Sequence, residues 1–323
     1  MFRKTFILTL LIALLAACAP AAQPTPTAAP VSTEISVTDV VPTEAVAEGL
    51  SFTDGLSREV TLAAPAQRVV SLAPSNTEIL FAVGAGDQVI GRDEFSDYPA
   101  DVAAIESIGG SMGEYSTEAI VALEPDLVLA AEINTPELIS QLEDLGLTVY
   151  YLKNPTSIEE MYANLEIIGQ LTGHDTTELV DSLKSRVAAV DEKIAPISAR
   201  PSVFYEIDAS DPTKPWTYGP GSFGNLLIER AGGFNIASDA PDSYPQLSLE
   251  QVVVANPSII LLGDAMWGVT PESVFAREGW GTIAAVQNTQ VFPIDDNLIS
   301  RPGPRLVDGL EALAKILHPD LFK

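Results

Sequence analysis

From residue 68 onward, short apolar runs alternate with stretches of helical periodicity. Arg68-Val-Val-Ser-Leu72, Asp126-Leu-Val-Leu-Ala130 and Thr148-Val-Tyr-Tyr-Leu152 occupy the first half; Val203-Phe-Tyr-Glu-Ile207, Ser258-Ile-Ile-Leu-Leu262 and Val291-Phe-Pro-Ile294 occupy the second. Continuous apolar runs separated by helices indicate strands covered on both faces, hence parallel sheets. Asp54-Gly55 predicts a hairpin ahead of them. Ser75-Asn-Thr-Glu78 reads as a capping box opening a helix that Gly84 stops.

One block recurs. Ser116-Thr-Glu118-Ala-Ile-Val-Ala-Leu-Glu-Pro125 returns as Ser248-Leu-Glu250-Gln-Val-Val-Val-Ala-Asn-Pro257, and each copy runs into a strand. The offset of 132 residues is the size of one domain. The chain therefore holds two similar α/β lobes. Between them, Thr156 or Ser157 caps a helix that Gly173 breaks, and a second helix is expected from about Asp175 to Ile194. Val180, Leu183, Val187, Val190 and Ile194 step by three and four, giving a continuous stripe along a rod of roughly 30 Å. The expected architecture is α/β, with two parallel-sheet lobes joined by one long helix and a cleft between them. The lobes are expected over 51–155 and 197–323, with a helical connection over 156–196.

The first 50 residues follow a different pattern. Arg3 and Lys4 precede an apolar run from Phe6 to Leu15, too short for a stable membrane span, so residues 1–17 read as a signal peptide. The run ends in Leu15-Ala-Ala-Cys18, which resembles the bacterial lipobox and implies acylation of Cys18. Residues 18–50, rich in Ala, Pro, Thr and Val, cannot bury enough surface to fold and read as a disordered tether. Such a coil reaches roughly 30 Å. The folded part is then expected outside the cytoplasm, close to the membrane that carries the anchor.

Composition narrows the function. With 44 acidic and 17 basic residues the net charge is -27, which repels nucleic acid and anionic lipid surfaces. A single Cys precludes an internal disulfide. Two His cannot form a three-imidazole metal site; no resident metal and no cofactor are expected.

Arg68-Val-Val-Ser-Leu-Ala-Pro-Ser-Asn-Thr-Glu78, Ser96-Asp-Tyr-Pro99, the Glu118–Leu129 block and Arg301-Pro-Gly-Pro-Arg305 together resemble the class III substrate-binding proteins of bacterial ABC importers, which carry cobalamin, ferric siderophores or haem. The resemblance spans about residues 52–322. It implies two Rossmann-like lobes bridged by a long helix, with ligand in the cleft beyond the carboxyl ends of the strands. The loops there carry Phe95, Tyr98, Trp216, Tyr218, Trp267 and Arg301, aromatic faces for a large chelate and a guanidinium for its acidic groups. The family position six residues before the first repeat Glu is Met112, and its counterpart before Glu250 is Tyr244. Glu118 and Glu250 match the two Glu that dock onto Arg of the symmetric permease dimer, which works with its ATPase. The resemblance favours a corrinoid ligand, with a ferric siderophore as the alternative, and a monomeric, non-catalytic protein.

Other motifs take simpler readings. Gly219-Pro-Gly221-Ser-Phe-Gly224 fits a dinucleotide fingerprint but stands about ten residues beyond its strand, so it reads as a cleft loop followed by a helix start at Ser222. His174 and His318 fall at helix ends. Asp208 with Asp211, and Asp295 with Asp296, lack calcium-loop spacing. A lipid-anchored hydrolase using His174 lacks a nucleophile elbow.

Overall fold

The computed structural model describes residues 49–323. The expected signal peptide, Cys18 and nearly all of the tether lie outside the described residues. Strands β1 (Leu50–Thr53) and β2 (Glu59–Leu62) pair antiparallel. Their turn is held by Asp54, which accepts the amides of Leu56 and Arg58, both at 2.9 Å. Burial of Asp54 works against its charge, but the bonds from Arg58 and Leu56 prevail and hold its pKa below the ordinary value.

The first lobe comprises β3 (Val69–Ser71), α1 (Pro74–Ala82), β4 (Val89–Arg92), α2 (Thr117–Ala122), β5 (Leu127–Ala131), α3 (Pro136–Asp144) and β6 (Val149–Leu152). Its sheet is fully parallel in the order β4-β3-β5-β6. The connection is α4 (Ile158–Thr172), capped by Ser157 and closed by Gly173 in the left-handed conformation, followed by α5 (Thr177–Ile194). The second lobe holds β7 (Ser202–Glu206), α6 (Phe223–Arg230), β8 (Phe234–Asn235), α7 (Leu249–Ala255), β9 (Ile259–Leu262), α8 (Pro271–Phe275), α9 (Ala284–Gln287), β10 (Val291–Pro293), α10 (Asn297–Ser300) and α11 (Leu306–Leu317). Its parallel order is β10-β9-β7-β8. The apolar runs marked six of these eight strands. The other two, β4 and β8, lie at sheet edges: β8 is only two residues long, and β4 contains Gly91, so neither presents a buried run.

Helix α1 departs from the capping-box expectation. It starts at Pro74, its N-cap Ala73 offers no side-chain bond, and Ser75 through Glu78 are buried inside it. Proline has no N–H to satisfy and a preset φ, so it opens the helix without a cap. Glu78 is thereby left for another use. The repeated block keeps its geometry in both lobes: Ser116 accepts from the Ala119 amide and Ser248 from the Gln251 amide, each at 3.2 Å.

The expected stripe on α5 is buried in full. It joins a core that includes Val69, Leu127 and Tyr150 of the first lobe and Val203, Leu227 and Leu310 of the second. Each sheet has a separate core on its other face. Ion pairs fasten α5 to the second lobe: Arg186 reaches Asp308 at 2.5 Å and Glu311 at 2.9 Å, and Asp191 meets Arg230 at 2.8 Å. One continuous core therefore runs behind both sheets and along the connection.

Candidate ligand-binding cleft

The parallel strands of both lobes deliver their carboxyl ends to a shared cleft. A cavity of about 300 Å³ lies between Ala73, Ser75, Ile133 and Asn154 of the first lobe and Arg301 and Pro302 of the second. A smaller one of about 160 Å³ separates Pro155 and Thr156 from Ser222 and Asn225. A third, of about 430 Å³, belongs to the second lobe alone, beyond β7 and β9, where Asp264 and Trp267 line it.

Beside the first cavity the lobes are tied by charge. Glu78, 2% exposed, accepts from Arg301 Nη1 at 2.9 Å and from Arg305 Nε and Nη2 at 2.8 and 2.5 Å. Arg301 Nη1 also reaches Asp97 at 2.6 Å, and the Arg305 guanidinium sits 4.0 Å over the Tyr98 ring. Burial opposes the charge on both arginines, but the bonds to the carboxylates outweigh it and hold their pKa values above the ordinary one. Beneath this layer Asp93 accepts the Phe95 amide at 2.9 Å and the Ser96 hydroxyl, which pins the turn presenting Phe95 and Tyr98. Burial raises the Asp93 pKa despite these bonds.

The nominated side chains divide into groups. Phe95, Tyr98, Trp216 and Tyr244 are exposed to roughly half their surface, and Trp267 is 79% exposed. Trp216 occupies a small antiparallel ladder between Asp208 and Gln246. Tyr218 is 2% exposed and so lies behind the wall. Its ring meets Tyr205 at 4.8 Å and Tyr244 at 5.9 Å, and the Tyr205 and Tyr218 hydroxyls donate to Asp296 at 2.7 and 3.0 Å. Burial first, then neighbouring phenol and carboxylate charge, pushes both phenols well above their ordinary pKa. Partial burial also raises Tyr244, helped by Glu132 of the first lobe and by Asp296. Arg301 does line the cavity, but Glu78 and Asp97 already engage it. The side chain of Met112 lies outside the described residues.

A second buried ion pair was not legible in the sequence. Arg277 Nη1 and Nη2 grip Glu206 at 2.5 and 2.7 Å while stacking 4.7 Å over Trp280. Next to it Asp264, 4% exposed, is raised to about 7 by burial, then by the charge of Glu206 and a hydrogen bond shared with it. Asp264 Oδ1 meets no hydrogen-bond partner among the described residues.

The glycine motif serves packing. A Cβ at Gly224 would stand 2.0 Å from the Tyr218 ring, and one at Gly219 would stand 2.1 Å from the Asp242 carbonyl oxygen. Ser222 caps α6 by accepting from Asn225, as expected. His174 contacts Thr172 and His318 contacts the Gly232 carbonyl, both at helix ends. Asp208, Asp211 and Asp295 each accept amides of their own turns, and no cluster of three or more metal-ligating side chains occurs among the described residues. Glu118 and Glu250 are exposed second residues of their helices, and among the described residues neither forms an ion pair.

Two similar parallel-sheet lobes meet at a cleft beyond the carboxyl ends of their strands, the layout of a two-lobe binding protein. The family model "Periplasmic binding protein" matches residues 69–298. The ABC transporter substrate-binding lipoprotein YvrC of Bacillus subtilis is 36% identical over 281 residues, covering 85% of this chain and 87% of that one. A cobalamin-binding protein of Halobacterium salinarum is 32% identical, covering 82% and 73%. The crystal structure of a possible iron-binding periplasmic solute-binding protein from Staphylococcus epidermidis superposes with a TM-score of 0.68 at 30% identity, covering 78% of this chain and 99% of that one. The chain belongs to the periplasmic binding protein family, as a class III substrate-binding protein of the ABC-importer type.

Proposed function

We propose that the protein captures a metal chelate, a corrinoid in first place, between its lobes and delivers it to an ABC permease. The observation that carries this reading is the interlobe cavity beyond the strand ends, lined by Arg301, whose guanidinium reaches the Phe95 carbonyl while the neighbouring Arg305 stacks on the half-exposed Tyr98 ring; the exposed Trp267 lines a further cavity in the second lobe. Flat aromatic surfaces suit a large planar or greasy chelate. The cobalamin-binding relative supports the corrinoid. A ferric chelate is the second reading, favoured by the similarity to the possible iron-binding protein. Glu118 and Glu250, displayed once per lobe, are assigned to docking on a symmetric permease, and Cys18 to lipid anchorage on the outer face of the cytoplasmic membrane.

Protein lacking residues 1–48 should gain thermal stability with a corrinoid, since a ligand at 100 times Kd adds about 2.7 kcal/mol. Gain with ferric chelates alone would move the assignment to iron uptake. No gain with either would reject the chelate reading.

A further inference from the structure

Every arginine near the cleft is engaged. Arg92 donates to the carbonyls of Val102, Asp93 and Glu94, Arg277 is paired with Glu206, and Arg301 and Arg305 converge on Glu78. Lys153 and Lys214, on the loops after β6 and β7, are exposed, but a lysine offers a point charge and not the planar fork that grips carboxylate or phosphate. Glu132, by contrast, stands between the cavity-lining Ala131 and Ile133 with no cation paired to it among the described residues, and Asp208 lines the neighbouring second-lobe cavity, likewise without a cation partner there. Arg301 lines the interlobe cavity, so its guanidinium would be the natural seat for an anionic arm of a ligand. Glu78 sits behind it, on the opposite lobe, and takes that capacity away.

We propose that Glu78, with Asp97 in support, sets the charge class of the ligand by sequestering Arg301 and Arg305, so that the cleft selects a neutral or cationic planar chelate and rejects polyanionic ones. The selection is a difference in affinities: an anionic arm entering the cavity must either draw Arg301 away from the buried Glu78 and from Asp97 or stand unpaired beside Glu132. A neutral ligand bearing amides disturbs neither. This inference rests on the chelate reading above, and it deepens that reading by naming the class.

The test compares a neutral corrinoid, dicyanocobinamide, with the trianionic ferric tris-catecholate by calorimetry, and adds inorganic pyrophosphate as a probe that needs no chelate site. Wild-type protein should bind dicyanocobinamide at least about tenfold more tightly than ferric tris-catecholate, and pyrophosphate should not stabilise it. In Glu78→Gln, which keeps shape while releasing two guanidiniums, the anionic-to-neutral affinity ratio should rise about tenfold or more. Pyrophosphate should then raise the melting temperature by about 2 to 4 °C. Asp97, 62% exposed, can be changed without risk to folding. Asp97→Asn should shift the ratio the same way by about threefold, so the idea stays testable if Glu78→Gln does not fold. Equal wild-type affinity for the trianionic chelate, or no gain on releasing the arginines, overturns the proposal. Loss of all corrinoid binding with the pyrophosphate gain intact rejects the ligand reading and leaves the sequestration standing.

Discussion

Glu124 and Asn256, which stand at matching positions of the internal repeat, share a φ of 47°. Each ends its helix in the left-handed region directly before a proline that leads into a strand, so the two lobes turn from helix to sheet through the same backbone solution. The two residues tolerate it differently. Asn256 is a residue type that visits this region readily, and its side chain accepts the Ala284 amide at 2.8 Å. Glu124 makes no such side-chain bond among the described residues. One substitution should therefore have opposite signs at the two sites: Glu124→Gly should stabilise by about 0.5 kcal/mol, and Asn256→Gly should destabilise by about 1 kcal/mol. Urea midpoints of the two variants check this, and equal signs would refute it.

Neither Glu118 nor Glu250 holds the fold together. As first-turn acids each contributes about 0.3 to 1 kcal/mol through the helix N-terminus. Replacing both with Gln should abolish uptake in cells while ligand affinity stays within about twofold. A parallel fall in affinity would place these residues in the cleft instead of on a docking surface.

The acid pair Glu206 and Asp264, at the carboxyl ends of β7 and β9, makes stability depend on pH. Asp264 titrates at about 7 in the folded protein against 3.8 for the free group, so the folded state binds the proton more tightly. The associated stability is complete below about pH 4 and is lost as pH rises through 7. Asp264→Asn should therefore be more stable than wild type above pH 7, by an amount on the order of 3 kcal/mol, and lose that advantage below pH 4. Denaturant midpoints measured from pH 4 to 8 report the crossover, and a constant difference across that range would assign the effect to packing.

Anchorage is tested by fractionation. Cys18→Ser should move the protein from the membrane to the soluble fraction, because two or three acyl chains hold a protein stably where a bare chain does not. Retention in the membrane fraction would disprove lipidation at Cys18.

The sequence by itself determined the architecture, because its signals are local and periodic. The buried strands at 69–71, 127–131 and 259–262, the helix stripe from Val180 to Ile194 and the repeated block that starts at Ser116 and Ser248 each follow from rules spanning a few residues. Tertiary structure alone decided how the cleft is charged. Glu78 read as part of a helix cap because a capping box is a local pattern, whereas its partners stand 223 and 227 residues away. Arg301 read as a free guanidinium for the same reason, and Tyr218 as a wall residue when its hydroxyl is buried on Asp296. Burial and ion pairing depend on which loops of two lobes meet, and periodicity within one element carries no record of that meeting.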